Sequence, residues 1–164
     1  MSRDVLANAE PEVLAMAYRQ ACEELMVMFC NNVDWGRARA NVGLFTADGE
    51  MNAELRHQLA GAPALSARGS AELGVLFGEL EDRTNHATKH ISCNHLVRLE
   101  GPDTAVGTST QVVYHLSGRG SAQEALTPHA IHECADTFRR DENGAWRFAR
   151  RHIRALAQEP GSTA

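Results

Sequence analysis

The sequence predicts an α+β domain: N-terminal helices packed on the concave face of a strongly curved, mostly antiparallel sheet. Three observations predict it. Apolar residues recur at spacings of three and four before about residue 80, the signature of amphipathic helices. After that point the chain reads as long runs rich in Val, Ile, Leu and Thr. Two turn signals, Gly101-Pro102-Asp103 and Asp141-Glu142-Asn143-Gly144, each join a pair of such runs. A sheet bent this strongly and closed by helices forms a cone-shaped α+β barrel, whose apolar interior is a small-molecule pocket.

The elements follow in order. Pro11 and Glu12 open the first helix, because proline forgoes an amide that would be unpaired anyway and an acid suits the positive helix end. Val13, Leu14, Ala17, Ala21, Leu25, Met28 and Phe29 form its apolar face, and Asn31-Asn32 is expected to break it. Asp34 then reads as the cap of a short second helix over Trp35 to Val42. Leu44 to Met51 gives an apolar anchor, a turn and the start of a strand, and the pattern from Asn52 to Leu65 is weak. Ser70 caps a third helix through about Leu80, in which Gly74 and Gly78 offer close packing at about 1 kcal/mol each relative to Ala. Strands are expected over His86–Glu100, Thr104–Leu116, Thr127–Arg140 and Ala145–Ala155. Ser117 to Leu126 reads as a flexible connection suited to a flap. A single domain over residues 1–158 with a disordered tail at 159–164 is expected.

Composition narrows the function. With 164 residues and 43% hydrophobic content the chain has enough material for one real core. A formal charge of -5 argues against a nucleic-acid surface. Arg139-Arg140 and Arg150-Arg151 read as solvated strand ends. No apolar run reaches the roughly 20 residues a membrane span needs, so a soluble cytoplasmic protein is expected. Cys22, Cys30, Cys93 and Cys134 are too scattered for a zinc ribbon or redox pair and read as small buried residues.

The first hairpin carries the candidate chemistry. Strand alternation puts His86, Thr88, His90, Ser92 and Asn94 on one face and Ala87, Lys89, Ile91, Cys93 and His95 on the other. Ser109, Gln111, Val113 and His115 share a face of the second strand, so pairing about the turn brings His90 and His115 toward each other. Imidazole titrates near neutrality and suits proton transfer. A metal site is disfavoured, since His86 and His90 are about 13 Å apart along a strand.

Asp34-Trp35 after a long helix, Leu44 to Gly49, His90 to Asn94, Asp136 to Arg140 and Gly144 to Phe148 together resemble the SnoaL-like branch of the nuclear transport factor 2-like superfamily. The resemblance spans roughly Glu12 to Arg154, and within it the hairpin is most similar to the scytalone dehydratases. It implies cofactor-free, metal-free lyase or isomerase chemistry on a small apolar, aromatic, polyketide-like or steroid-like compound. His90 would be the general acid or base, His115 a second proton donor or carbonyl binder, and Asn31 would take the place of the aspartate that orients the histidine. Asp34, the ionisable acid nearest the expected pocket mouth, is a further catalytic candidate beside its reading as a cap. Asn94 and Val113 are expected along the pocket. Cys30, Met51 and Ala135 fall where that family carries two tyrosines and a polar residue. Those replacements keep open a second reading, a non-catalytic ligand-binding protein or partner subunit like the beta subunits of ring-hydroxylating dioxygenases. A homodimer or homotrimer is expected, because the convex sheet face carries apolar residues.

Overall fold

The computed structural model describes residues 10–54, 65–83, 88–115 and 128–158, the side chains of Arg83, His115, Ala157 and Gln158 excepted. The chain runs α1 (Pro11–Asp34), a 3-10 helix (Ala38–Leu44), β1 (Phe45–Glu54), β2 (Leu65–Arg68), α2 (Gly69–Arg83), β3 (Thr88–Leu99), β4 (Thr104–His115), β5 (Pro128–Arg140) and β6 (Trp146–Gln158). The six strands form one sheet in the order β2-β1-β6-β5-β4-β3. Neighbours are antiparallel except β1 and β6, which run parallel. Among the described residues the sheet does not close: β2 and β3 are its edges. The fold is α+β, with α1 laid across β3 and reaching β4 and β6.

The buried stripe of α1 is Cys22, Leu25, Met26, Phe29, Cys30 and Val33, the three-and-four spacing of one helix face. Met28 and Val13 fall outside it and are about half exposed, which corrects the face expected from sequence. Asn31-Asn32 does not end the helix. Asn32 Nδ2 donates to Asn41 Oδ1 at 2.8 Å, so the amide that would compete with the helix backbone is engaged elsewhere, and α1 continues to Asp34. Phe29 sits at the centre of the core, its ring edge-on to Phe45, Phe77 and Phe148 with centroids 5.8–6.4 Å apart. Against α1 the sheet supplies Gly107, where a Cβ would fall 2.6 Å from the Met26 terminal methyl and 3.1 Å from the Phe138 ring. Glycine there lets helix and sheet approach. Gly78 plays a related part on α2: the Arg39 guanidinium occupies the space beside it and reaches Glu81 and Asp82.

Bulges bend the sheet. One changes which residues face the core. Between Cys93↔Thr110 and Leu96↔Thr108 the chain takes three steps on β3 against two on β4, and Asn94 there has φ +54°. The extra residue reverses the alternation. His90 and Ser92 oppose the buried Val113 and Gln111, whereas beyond the bulge it is the odd-numbered Val97 that turns inward opposite Gly107.

Of the remaining expectations, β2 is a strand that the weak pattern after Asn52 did not reveal, and α2 begins one residue before Ser70. Gly144, at φ +80°, supplies the left-handed residue the last hairpin turn needs. His86, the connection from Ser117 to Leu126, and the tail after Gln158 lie outside the described residues.

Candidate functional site

The site is built where the end of α1 meets the edge of the sheet. Asp34, the last residue of the helix, carries a side chain only 2% exposed, and β3 lays His90 directly against it. His90 Nδ1–H donates to Asp34 Oδ1 at 2.6 Å, and the His90 backbone amide donates to Oδ2 at 2.9 Å. The second bond follows from β3 being an edge strand: its outward amides have no strand beyond them, and here a carboxylate takes one. Lys89 Nζ reaches Asp34 Oδ2 at 3.0 Å. Burial pushes the Asp34 carboxyl up, but the hydrogen bonds from the His90 ring and amide, with the Lys89 ammonium, outweigh it and hold the group below its ordinary range. Asp34 is therefore not the cap expected from sequence; it is engaged by β3, and the following 3-10 helix starts four residues later, at Ala38, without a side-chain cap.

Other polar groups continue along the inward face. Gln111, buried, donates from Nε2 to Cys30 Sγ at 3.1 Å, and burial pushes the Cys30 thiol up to about 11. Ser92 Oγ is hydrogen-bonded to His95 Nε2 at 2.7 Å. Farther in, Asp136 and Arg151 oppose each other across β5 and β6 with both side chains fully buried. Arg151 NH1 lies 3.4 Å from Asp136 Oδ2, and the guanidinium stacks over the Phe29 and Phe148 rings at 4.4 and 4.8 Å. Burial pushes the Asp136 carboxyl up to about 6 against the opposing pull of Arg151. Arg151 corrects the reading of Arg150-Arg151 as a solvated pair. Alternation turns Arg150 out and Arg151 in, and only the second meets a buried acid.

The residues expected from sequence are placed as follows. Val113 is buried and directly opposite His90. His115 pairs in register with Thr88, two residues before His90 on the neighbouring strand, so the backbone brings the two histidine positions within one diagonal step. Asn31, in the last turn of α1, accepts the Trp35 amide through its carbonyl, and the group that accepts from His90 is the Asp34 carboxylate rather than the Asn31 amide. Met51 is in the core, beside Arg151 on β6. Asn94 and Ala135 are corrected: they do not share the inward face. The bulge turns Asn94 outward, and alternation puts Cys134 and Asp136 inward in place of Ala135, so both line an outer groove of about 540 Å3 with Thr108, Thr110 and the Glu133–Arg154 ion pair. Among the described residues, no three His, Cys, Asp or Glu side chains are grouped to hold one metal ion, and no helix is long and apolar enough to cross a membrane.

Sequence reasoning missed Lys89 and Arg151. A signal for the first was present, since a lysine next to an edge-strand histidine can bend round the strand to the same acid; nothing local distinguished Arg151 from its exposed neighbour.

Comparison with known proteins matches the fold of this chain to others. Among solved structures, an NTF2-like protein with a cystatin-like fold from Novosphingobium aromaticivorans is 26% identical, with a TM-score of 0.69 over 99% of this chain and 95% of its own. A scytalone dehydratase candidate from the same organism is 19% identical, with a TM-score of 0.68 over 91% of each chain. The beta subunit of a candidate aromatic-ring-hydroxylating dioxygenase, also from that organism, is 13% identical, with a TM-score of 0.69 over 89% of this chain and 94% of its own. No curated protein matches. The family model for the SnoaL-like domain matches residues 15–152, which takes in most of α1, the Asp34–His90 junction and nearly all of the sheet, and the chain belongs to the SnoaL-like family.

Proposed function

We propose that the protein is a cofactor-free dehydratase or isomerase of a small, largely apolar ring compound, with His90 moving the proton and Asp34 orienting it. The observation that carries this is the 2.6 Å bond from His90 Nδ1 to a carboxylate that is itself 2% exposed. Anchored through Nδ1, the ring keeps one tautomer and offers Nε2 to a substrate. In the elimination, Nε2 takes a proton from the carbon next to a carbonyl, and the electron pair forms the new double bond as the neighbouring C–O bond breaks. The imidazolium returns that proton to the departing hydroxide, giving water and a neutral ring. Asp34 stays ionised throughout and stabilises the imidazolium while it lasts. On this reading the guest meets Val113, opposite His90, and the buried Cys30–Gln111 pair, a surface that is mostly apolar with few polar groups. The scytalone dehydratase candidate among the similar structures supports the same reaction class.

The test is a panel of ring compounds bearing a hydroxyl two carbons from a carbonyl, followed by the ultraviolet absorbance of the conjugated product. His90→Ala is expected to lower turnover by roughly 100-fold or more with the fold intact, and Asp34→Asn by roughly 100-fold. Equal turnover in wild type and His90→Ala would remove the assignment.

A second reading, a non-catalytic binding or partner subunit, is favoured by one observation. Cys30 and Met51, which stand where the resemblance places tyrosines, bring no phenol to the site. It predicts saturable binding of the same compounds without turnover, measured by calorimetry.

A further inference from the structure

The carboxylate that serves His90 is shared. Lys89 and His90 are consecutive on β3, so alternation points them to opposite sides, yet both end on Asp34: His90 Nδ1 on Oδ1 at 2.6 Å, Lys89 Nζ on Oδ2 at 3.0 Å. Two features allow this. β3 is an edge strand, so a long flexible stem can pass round it, and α1 ends at that edge. The burial gradient is steep: the Lys89 side chain is 48% exposed and that of Asp34 is 2% exposed. Water therefore reaches the ammonium but hardly the oxygen it holds.

We propose that Lys89 is a positioning residue of the site, one that fixes Asp34 Oδ2 and offsets part of the negative charge the His90 ring experiences. The inference rests on the proton-transfer reading above. An imidazole beside an uncompensated carboxylate holds its added proton tightly, which leaves less of the neutral base available and slows return of the proton to the leaving hydroxide. One beside a carboxylate already paired with an ammonium releases it more readily. Lys89 thus keeps the orienting bond while moderating its electrostatic pull. Among the described residues Cys30, one turn back on α1, also senses the Asp34 charge, and its thiol, pushed up to about 11 by burial, stays neutral. Lys89 itself is half exposed, and without it Asp34 keeps the His90 ring and backbone amide as donors, so a variant should fold.

The experiment follows the Asp34 side-chain carboxyl carbon by NMR across acid pH in wild type, Lys89→Gln and Lys89→Arg, and the pH profile of turnover in the same proteins. Lys89→Gln is expected to raise the Asp34 midpoint by about half a pH unit or more, since a carboxylate losing a cationic donor is protonated more easily. The acid limb of turnover moves upward with it, and Lys89→Arg stays near wild type in both. An Asp34 curve unchanged in Lys89→Gln, or displaced as far in Lys89→Arg, would overturn the proposal. Turnover indifferent to His90→Ala would instead sink the proton-transfer reading while leaving the Asp34 titration interpretable on its own.

Discussion

Asp34 and Asp136 are both aspartates removed from water beside a cation, yet they are held in opposite directions. Asp34 accepts from a ring nitrogen, a backbone amide and an ammonium, and its carboxyl lies below the ordinary range. Asp136 faces a guanidinium at 3.4 Å, neither of its oxygens has a hydrogen-bond partner among the described residues, and burial pushes it up to about 6. The difference teaches that a nearby positive charge does not by itself repay the removal of a carboxylate from water; directed hydrogen bonds to its oxygens decide the outcome. The first arrangement makes a reactive junction at the sheet edge, and the second is a costly filling of the core.

The strongest way to break this comparison is to remove the inner pair altogether. Asp136→Leu with Arg151→Met replaces the buried ions by apolar groups of similar bulk, and stability in urea is expected to hold or rise by about 1–4 kcal/mol. A clear loss would show that the ion pair contributes what the Asp34 cluster does.

The two carboxylates also predict opposite pH slopes. Asp136 binds its proton more tightly in the folded chain than in the unfolded one, so its contribution to stability falls as pH rises from about 4 toward about 6. Asp34 binds its proton less tightly when folded; its contribution is present above the ordinary carboxyl value and is lost as pH falls through the depressed one. Denaturation midpoints across this range should therefore decline less steeply with rising pH in Asp136→Asn than in wild type. An identical decline in both proteins would assign the slope to other groups.

The smallest expected effect sharpens the contrast locally. Gly107 is the register partner of Asp136, and Gly107→Ala presses on Met26 and Phe138. A cost of about 1 kcal/mol in thermal or urea unfolding is expected, low for overpacking because the Met26 methyl can swing away. His90 chemistry, six residues farther along β4 at the Val113 register, should be unaffected.

How far the sequence could be read follows from which signals are local. Turn residues are local, and both Gly101-Pro102-Asp103 and Asn143-Gly144 lie between strands as expected. The length of α1 was misjudged because whether Asn31-Asn32 ends a helix depends on Asn41, a residue that becomes a neighbour only after folding. Asp34 looked like a cap for the same reason: a short acid after a helix fits that role until an edge strand arrives to claim both its oxygens. β2 has four residues and too little alternation to stand out. The fold, spread over many weak periodic signals, was legible; the partner of His90 depends on one tertiary contact, and it was not.

The extra residue at Asn94 has a consequence for how this strand can vary. Upstream of it, even-numbered positions of β3 address the site; downstream, odd-numbered positions seal the core. The two halves are thereby geared separately. Excising one residue at that point would force a choice, keeping the seal and swinging the imidazole out toward bulk solvent, or keeping the imidazole and exposing Val97. Lineages that retain the site should tolerate exchange of side chains around Asn94 far better than any change in the number of residues there.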